Sequence, residues 1–376
     1  MKNYRILQIH NFYQIPGGED VVVRNEKRLL EEHGHKVYTY YRSNSELAKK
    51  GIVGKLFLPF TAVFSLKTYR EVKKLIRENQ IDIVHVHNTL TMVSPSVFYA
   101  AFRWLEPPRF NLQEALRAAP DGNNAVTDFA ACLVYSEDGA ELAAPLEPSL
   151  GGAIRHKCYR NSKLQSFVSA AILQIHRFVG TYRRVNFICL TEFNRKKLLE
   201  SLDTKKEIVN PERVYIKPNF TFAEEIVPNE VRSDEEYFLF AGRVEALKGI
   251  DIAVRAFEKL PDKKLYVAGN GPMMEEMQRY VREHHMENVK FLGYLQKDEM
   301  SEKFYQAKAV IMTSQCYEAF AMTIAEAYSY GVPVIAGRVG NMDGMVQDGI
   351  TGVKFTYNSA EDLADKISAF DAMDLS

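Results

Sequence analysis

The sequence predicts an α/β protein made of two successive βαβ series, each with its own parallel sheet. Short β-branched runs alternate with helical spacing along most of the 376 residues. The pattern stops at the polar, acidic, proline-containing stretch Asn219 to Asp234 and then restarts. Each series opens on a strand that runs into glycine, Arg5 to His10 before Pro16-Gly17-Gly18 and Tyr237 to Ala241 before Gly242. The length suits two domains with ample core, expected at 1–215 and 235–376 with a linker at 216–234.

In the first half, apolar positions at helical spacing over Glu19 to Glu32 (Val21, Val22, Val23, Leu29, Leu30) predict a helix ending near Gly34. Strands follow at Lys36 to Tyr41 and Ile81 to Val86, the latter with His87-Asn88 at its carboxyl end. A further strand is expected at Val185 to Leu190, before Thr191-Glu192-Phe193 and a basic helix. In the second half, a helix is expected around Ile250 to Leu260. Strands are expected at Lys264 to Ala268, Val289 to Leu292, Ala309 to Met312 and Pro333 to Ala336, with helical spacing again over Ala360 to Phe370. Residues 105–150 break the series. They are rich in Ala and Pro, carry eight acids against two arginines, and offer only Phe129 to Tyr135 as a strand.

Lys+Arg and Asp+Glu are both 48, so no global charge argues for a nucleic-acid partner. Cys132, Cys158, Cys189 and Cys316 are scattered without a C-x-x-C pair, which argues against a disulfide framework or zinc knuckle and fits a reducing compartment. The amino terminus is too short and polar for a signal peptide, and no apolar run reaches about 18 residues. The expected location is cytoplasmic.

Four motifs carry chemistry. Glu318 and Glu326 bracket the start of a helix that leads through Gly331 into a buried strand. The free N–H groups near Phe320 to Met322 suit a phosphate, and a carboxylate beyond a phosphate site commonly takes ribose hydroxyls. Gly242-Arg243 with Lys248-Gly249 sets two cations at the carboxyl edge of a sheet, where a guanidinium fork and an ammonium can grip phosphate oxygens. Gly269-Asn270-Gly271-Pro272 and Gly17-Gly18 each follow a strand. Taken singly, each motif also fits a solvated turn or helix face; their order and spacing carry the reading.

With His85-Val86-His87-Asn88, Lys217-Pro218-Asn219, Gly293-Tyr294, Gly331-Val332-Pro333-Val334 and Gly349-Ile350-Thr351-Gly352, the chain resembles the retaining GT-B glycosyltransferases of the group 1, or family 4, type. The resemblance covers Tyr4 to about Arg103 and Gly152 to about Asp365. It implies two Rossmann-like domains with parallel sheets facing across a cleft, and a nucleoside-diphosphate sugar as donor substrate. It further implies that Arg243 and Lys248 grip the diphosphate while Glu318 contacts the transferred sugar. Ala319, Phe320 and Ala321 would give backbone N–H contacts, and Glu326 would hold the ribose. Gly293, Tyr294 and Leu295 would lie near the base and Gly269, Asn270 and Gly271 beside the donor. Gly17 and Gly18 would close over the phosphates. Two cations and a helix start stabilise the departing diphosphate without a metal or a separate cofactor. The departing phosphate oxygen would act as base in a front-face attack.

The sequence departs from the family at several points. No histidine occurs between His87 and His156, so the histidine that relatives place opposite the donor sugar has no counterpart; His10, His85, His87 and His156 are candidates by location only. Ala319 and Ala321 replace frequent Gly or Pro, Gly344 stands where Glu is frequent, with Asp343 beside it, and the long carboxyl-terminal helix is short or absent. These changes leave open a nucleotide-sugar-binding protein with little turnover, or an epimerase of the same architecture.

Lys49, Lys50, Lys55, Lys67, Arg70, Lys73, Lys74 and Arg77 interleave with Leu56 to Phe60 and Val63-Phe64. Residues 155–184 hold seven Lys/Arg and no acid around Phe167 to Val179. Such segments suit either solvated helices or an anionic membrane surface. The resemblance favours peripheral contact with the inner face of the cell membrane and a glycan or polyprenyl-linked acceptor in surface polysaccharide synthesis.

Overall fold

The computed structural model describes residues 3–12, 18–47, 51, 57–89, 92–104, 154–155, 162–201, 209, 211–222 and 235–371. Gly17, His156, Cys132, Cys158, residues 105–150 and most of the expected linker lie outside them. The chain divides into two compact units, with the boundary between Pro218 and Asn219.

In the first unit, β1 (Arg5–Phe12), α1 (Gly18–Glu32) and β2 (Lys36–Ser43) are followed by α2 (Leu58–Val63), α3 (Leu66–Glu78), β3 (Ile83–Val86) and α4 (Ser96–Trp104). Then come α5 (Lys163–Phe178), β4 (Phe187–Cys189), α6 (Glu192–Ser201) and β5 (Val214–Ile216). The strands form a parallel sheet in the order β2-β1-β3 and a separate parallel pair β4-β5. Leu7, Ile9, Val84, Val86, Phe187 and Cys189 sit in one buried cluster with Val72 and Ile76 of α3 and Val97 of α4. Lys217 follows β5 and is buried against Glu26 of α1, so this unit runs to Pro218, three residues past the expected end at 215.

The second unit is a doubly wound sheet. Its elements are β6 (Phe238–Ala241), α7 (Ile250–Glu258), β7 (Leu265–Ala268), α8 (Met274–Glu283), β8 (Val289–Gly293), α9 (Lys297–Gln306) and β9 (Ala309–Met312). They continue with α10 (Met322–Ser329), β10 (Val334–Gly337), α11 (Gly340–Met345), β11 (Gly352–Phe355) and α12 (Ala360–Asp371). All six strands are parallel, in the order β11-β10-β9-β6-β7-β8. Counted within the unit this is 6-5-4-1-2-3, with β6 and β9 adjacent at the point where the winding reverses.

Both faces of that sheet are covered, which explains runs such as Phe238-Leu-Phe-Ala241 with no polar alternation. Phe238 and Phe240 point into the layer under α7, α8 and α12, while Tyr237 and Leu239 point into the layer under α9 and α10. Phe257 of α7 is fully buried and meets Phe238 edge-on, 5.7 Å between centroids. Phe257→Ala is expected to lower unfolding stability by about 3–5 kcal/mol, the usual cost of an aromatic-sized hole in a packed core, measured by urea denaturation.

Candidate functional site

The sequence-derived donor residues of the second unit converge at the carboxyl edge of its sheet, around the β6/β9 reversal. After β6 the chain passes Gly242 and Arg243, makes one 3-10 turn at Ala246–Lys248, and enters α7. Gly249 joins the turn to the helix at φ +65°, and a Cβ there would stand 2.1 Å from the Thr313 carbonyl oxygen. Only glycine lets the loop after β6 lie directly on the loop after β9. Two hydrogen bonds fasten this approach, Gln315 N donating to Leu247 O at 2.8 Å and Thr313 Oγ1 to Lys248 O at 2.9 Å, while within the β9 loop Gln315 Nε2 donates to Thr313 O at 2.7 Å.

Lys248 Nζ thereby reaches Glu318 Oε1 at 2.5 Å, and Ser314 Oγ donates to the same oxygen at 2.6 Å. Asn341, in α11, donates from Nδ2 to the Glu318 and Ala319 carbonyl oxygens and so fixes the backbone that presents the carboxylate. Burial pulls the Lys248 ammonium down, but the charge and hydrogen bond of Glu318 outweigh it, leaving the pKa raised and the group charged. Cys316 lies in the same loop, and burial, with the Glu318 charge behind it, pushes its thiol up to about 11. It is therefore a neutral thiol and a poor nucleophile.

Arg243 is more exposed; its Nε lies 3.3 Å from Glu245 Oε2. Beside it, the β6, β7 and β8 loops are stitched through backbone groups. Gly242 N donates to Ala268 O at 3.0 Å, Val244 N to Asn270 O at 3.0 Å, and Gly269 N to Gly293 O at 2.7 Å. A Cβ on Gly269 would meet Gly242 O at 1.8 Å, and one on Gly271 would meet Val244 O at 2.2 Å. The Gly269-Asn270-Gly271 motif is therefore a packing requirement of this edge. Tyr294 projects from the β8 end with 70% of its surface exposed, while Leu295 packs back on the core.

Ala319 and Phe320 lead to Ala321, the buried residue before α10, which has no side-chain cap. An uncapped helix start leaves backbone N–H groups available to an anion. Glu326 lies one turn into α10, and no side-chain hydrogen bond or ion pair engages its carboxylate among the described residues. Burial alone raises its pKa. A raised folded pKa means that this group favours the native state below its unfolded pKa and that the benefit is lost as pH rises through the folded value. Glu326→Gln is therefore expected to raise the melting temperature at pH 7 and to change it little near pH 4, read by thermal denaturation at both pH values.

Asp343, considered beside Gly344, is tied to Lys354 Nζ at 3.0 Å. In the first unit, Gly18 begins α1. His10, His85 and His87 are all buried: His10 Nε2 lies 2.9 Å from Asp20 Oδ1, and His85 and His87 face Glu26. Ser314, Asn341 and Glu26 were not foreseen. Ser314 had a usable signal, since a polar residue two steps past a buried strand lies on a carboxyl edge; the other two had none in local sequence.

A lysine–glutamate pair, an arginine and an open helix start lie together at the reversal of a doubly wound sheet, the place where folds of this class commonly take their ligands. Residues 222–371 match the family described as glycosyl transferases group 1, and residues 16–110 match glycosyltransferase family 4. The chain belongs to the group 1 glycosyltransferases and has their GT-B fold. An uncharacterized glycosyltransferase of Methanocaldococcus jannaschii is 27% identical over 194 residues, 51% of this chain and 52% of that protein. The chain thus spans about half the length of the curated relatives it matches. A glycosyltransferase from Rickettsia africae shares the fold at a TM-score of 0.66 and 16% identity, over 99% of this chain and 89% of that one. Anabaena HepE, solved in complex with UDP and glucose, does so at 0.60 and 16%, over 98% and 90%.

Proposed function

We propose that this protein is a retaining glycosyltransferase that moves a sugar from a nucleoside-diphosphate sugar to a glycan or lipid-linked acceptor in surface polysaccharide synthesis. The observation that carries this reading is the Lys248–Glu318 pair at the strand reversal, with Arg243 on one side and the α10 start on the other. The diphosphate lies against Lys248, Arg243 and the N–H groups after Glu318. Glu326 takes the ribose, and the edge formed by Gly269 to Gly271 and Gly293 to Leu295 borders the base. As the anomeric C–O bond breaks, the leaving oxygen gains charge where these fixed positive groups already point. The acceptor oxygen bonds to the anomeric carbon on the same face, and its proton passes to the departing phosphate oxygen. The donor groups named here carry this step without a metal.

A screen of nucleotide sugars by thermal shift, followed by a transfer assay with the stabilising donor, tests the reading. A bound donor raises the melting temperature by mass action. No shift with any nucleotide sugar contradicts it. The second reading, binding with little turnover, is favoured by the absence of any histidine between His87 and His156 and by Ala319 and Ala321. Donor binding with neither hydrolysis nor transfer selects it.

The acceptor side of the proposal rests on a surface of the first unit. Phe60 of α2 is 72% exposed and Phe178 at the end of α5 is 93% exposed, with Phe57, Leu164 and Phe167 also turned outward. The two helices are joined by His176 Nε2, 3.0 Å from Val63 O. Lys163, Arg177 and Arg183 lie on or beside α5, and α2 and α5 contain no acid. Exposed apolar side chains with cations and no acid on the same helices suit an anionic bilayer surface. No helix among the described residues is long and apolar enough to cross a membrane. Co-sedimentation with phosphatidylglycerol vesicles is expected, weakening steeply with salt and lost in Phe60→Ser/Phe178→Ser. Equal sedimentation with neutral vesicles contradicts it.

A further inference from the structure

The first unit holds a buried polar layer that the proposed donor chemistry does not use. Gln8 and His10 of β1, together with His85 and the adjacent His87 at the end of β3, face Asp20 and Glu26 of α1, and all six are at most 3% exposed. Lys217 Nζ sits on Glu26 Oε1. The other oxygen, Oε2, is buried and accepts no hydrogen bond, although His87 Nε2 stands 3.2 Å away and His85 Nδ1 3.5 Å away. One ligand atom from each of Glu26, His85 and His87 lies within 4.8 Å of the other two.

Hydrogen bonding sets the donor and acceptor roles of these atoms. The Gln8 amide is oriented at both ends: Nε2 donates to Val23 O at 3.1 Å and Oε1 accepts from Tyr41 Oη at 2.5 Å. That orientation aims the Gln8 Nε2–H group at His87 Nε2, 3.0 Å away, and makes this imidazole nitrogen the unprotonated acceptor of that hydrogen bond. An acceptor nitrogen and a carboxylate oxygen then face each other at 3.2 Å in a buried site, which is unfavourable unless a positive centre joins them. The spacing suits a metal ion. A tetrahedral zinc bound to oxygen at about 2.0–2.2 Å and nitrogen at about 2.0–2.1 Å sets neighbouring ligand atoms roughly 3.3–3.5 Å apart. The charge also allows it, since among the described residues Glu26 and Asp20 supply two carboxylates to the one ammonium of Lys217, with the His10 and His87 rings 5.9 Å apart.

We propose that Glu26, His85 and His87 form a buried site for a divalent transition metal of the zinc class, pinning α1 to the carboxyl end of β3. The site takes His87 Nε2 over from Gln8, and it is independent of the donor reading. The Lys217 ammonium shares Glu26 with the metal and opposes it, so binding is limited by that one charge.

The test is titration of the metal-stripped chain with zinc against a chromophoric chelator, and with cobalt(II) followed by visible absorption. The expected result is one equivalent per chain, with the intense bands of a four-coordinate cobalt site and a raised melting temperature. His85→Ala/His87→Ala abolishes the equivalent. Lys217→Met tightens it by about tenfold or more, because a competing positive charge is gone. A wild-type chain that binds no zinc at micromolar free metal overturns the proposal. So does zinc binding that survives loss of both histidines, or that weakens in Lys217→Met.

Discussion

Glu318→Gln is expected to move donor binding and sugar transfer in opposite directions. Glu318 occupies the Lys248 ammonium at 2.5 Å and holds its own place through Ser314 and Asn341. The amide keeps the size of the side chain and can still accept from Ser314 Oγ. It removes the negative charge that competes with a diphosphate for Lys248. Affinity for a free nucleoside diphosphate should therefore rise, by up to about tenfold for one charge-assisted contact released. Transfer should fall by about 10²–10³-fold, the usual loss when a fixed electrostatic group at the reacting centre is removed. Calorimetry and a transfer assay on the same preparation read the two effects. Weaker diphosphate binding in this variant would mean that Glu318 supports the phosphate site and does not compete with it.

The second large effect is expected from Gly249→Ala. The backbone there is left-handed, which costs an L-residue about 1–2 kcal/mol. The added methyl also meets the Thr313 carbonyl at 2.1 Å, so the two loops must separate. Overpacking of that kind adds about 1–3 kcal/mol, for a total loss of roughly 2–5 kcal/mol in urea denaturation. Lys248 is the adjacent residue and moves with the loop, so donor affinity should fall even in the molecules that remain folded. A variant of wild-type stability would show that the close approach of the β6 and β9 loops is not needed.

The fold of the second unit was legible because burial on both sheet faces leaves an unambiguous trace. Phe238 to Ala241 and Ala309 to Met312 are uninterrupted apolar runs, each followed by turn residues. β11 (Gly352–Phe355) was missed as a strand, since four residues with one lysine carry no periodicity. The motifs at Arg243, Lys248, Glu318 and Glu326 stand out in the sequence as candidate donor groups. Their pairing does not, because Lys248 and Glu318 are 70 residues apart and meet only through the strand order that sets β6 beside β9. Glu26 was the hardest to read. In Asn25-Glu-Lys-Arg-Leu-Leu-Glu-Glu32 it is one acid among several on a helix, and only the histidines of β3 and Lys217, 191 residues on, make it a buried group.

The central claim is that Arg243, Lys248 and the turn after Glu318 bind a diphosphate. Calorimetry of a nucleoside diphosphate that stabilises the wild-type chain, repeated on Arg243→Ala/Lys248→Ala, tests it most directly. Two lost charge-assisted contacts at about 1.5–3 kcal/mol each predict a drop in affinity of at least a hundredfold, with the fold intact by circular dichroism. Unchanged affinity in that folded double variant would contradict the account.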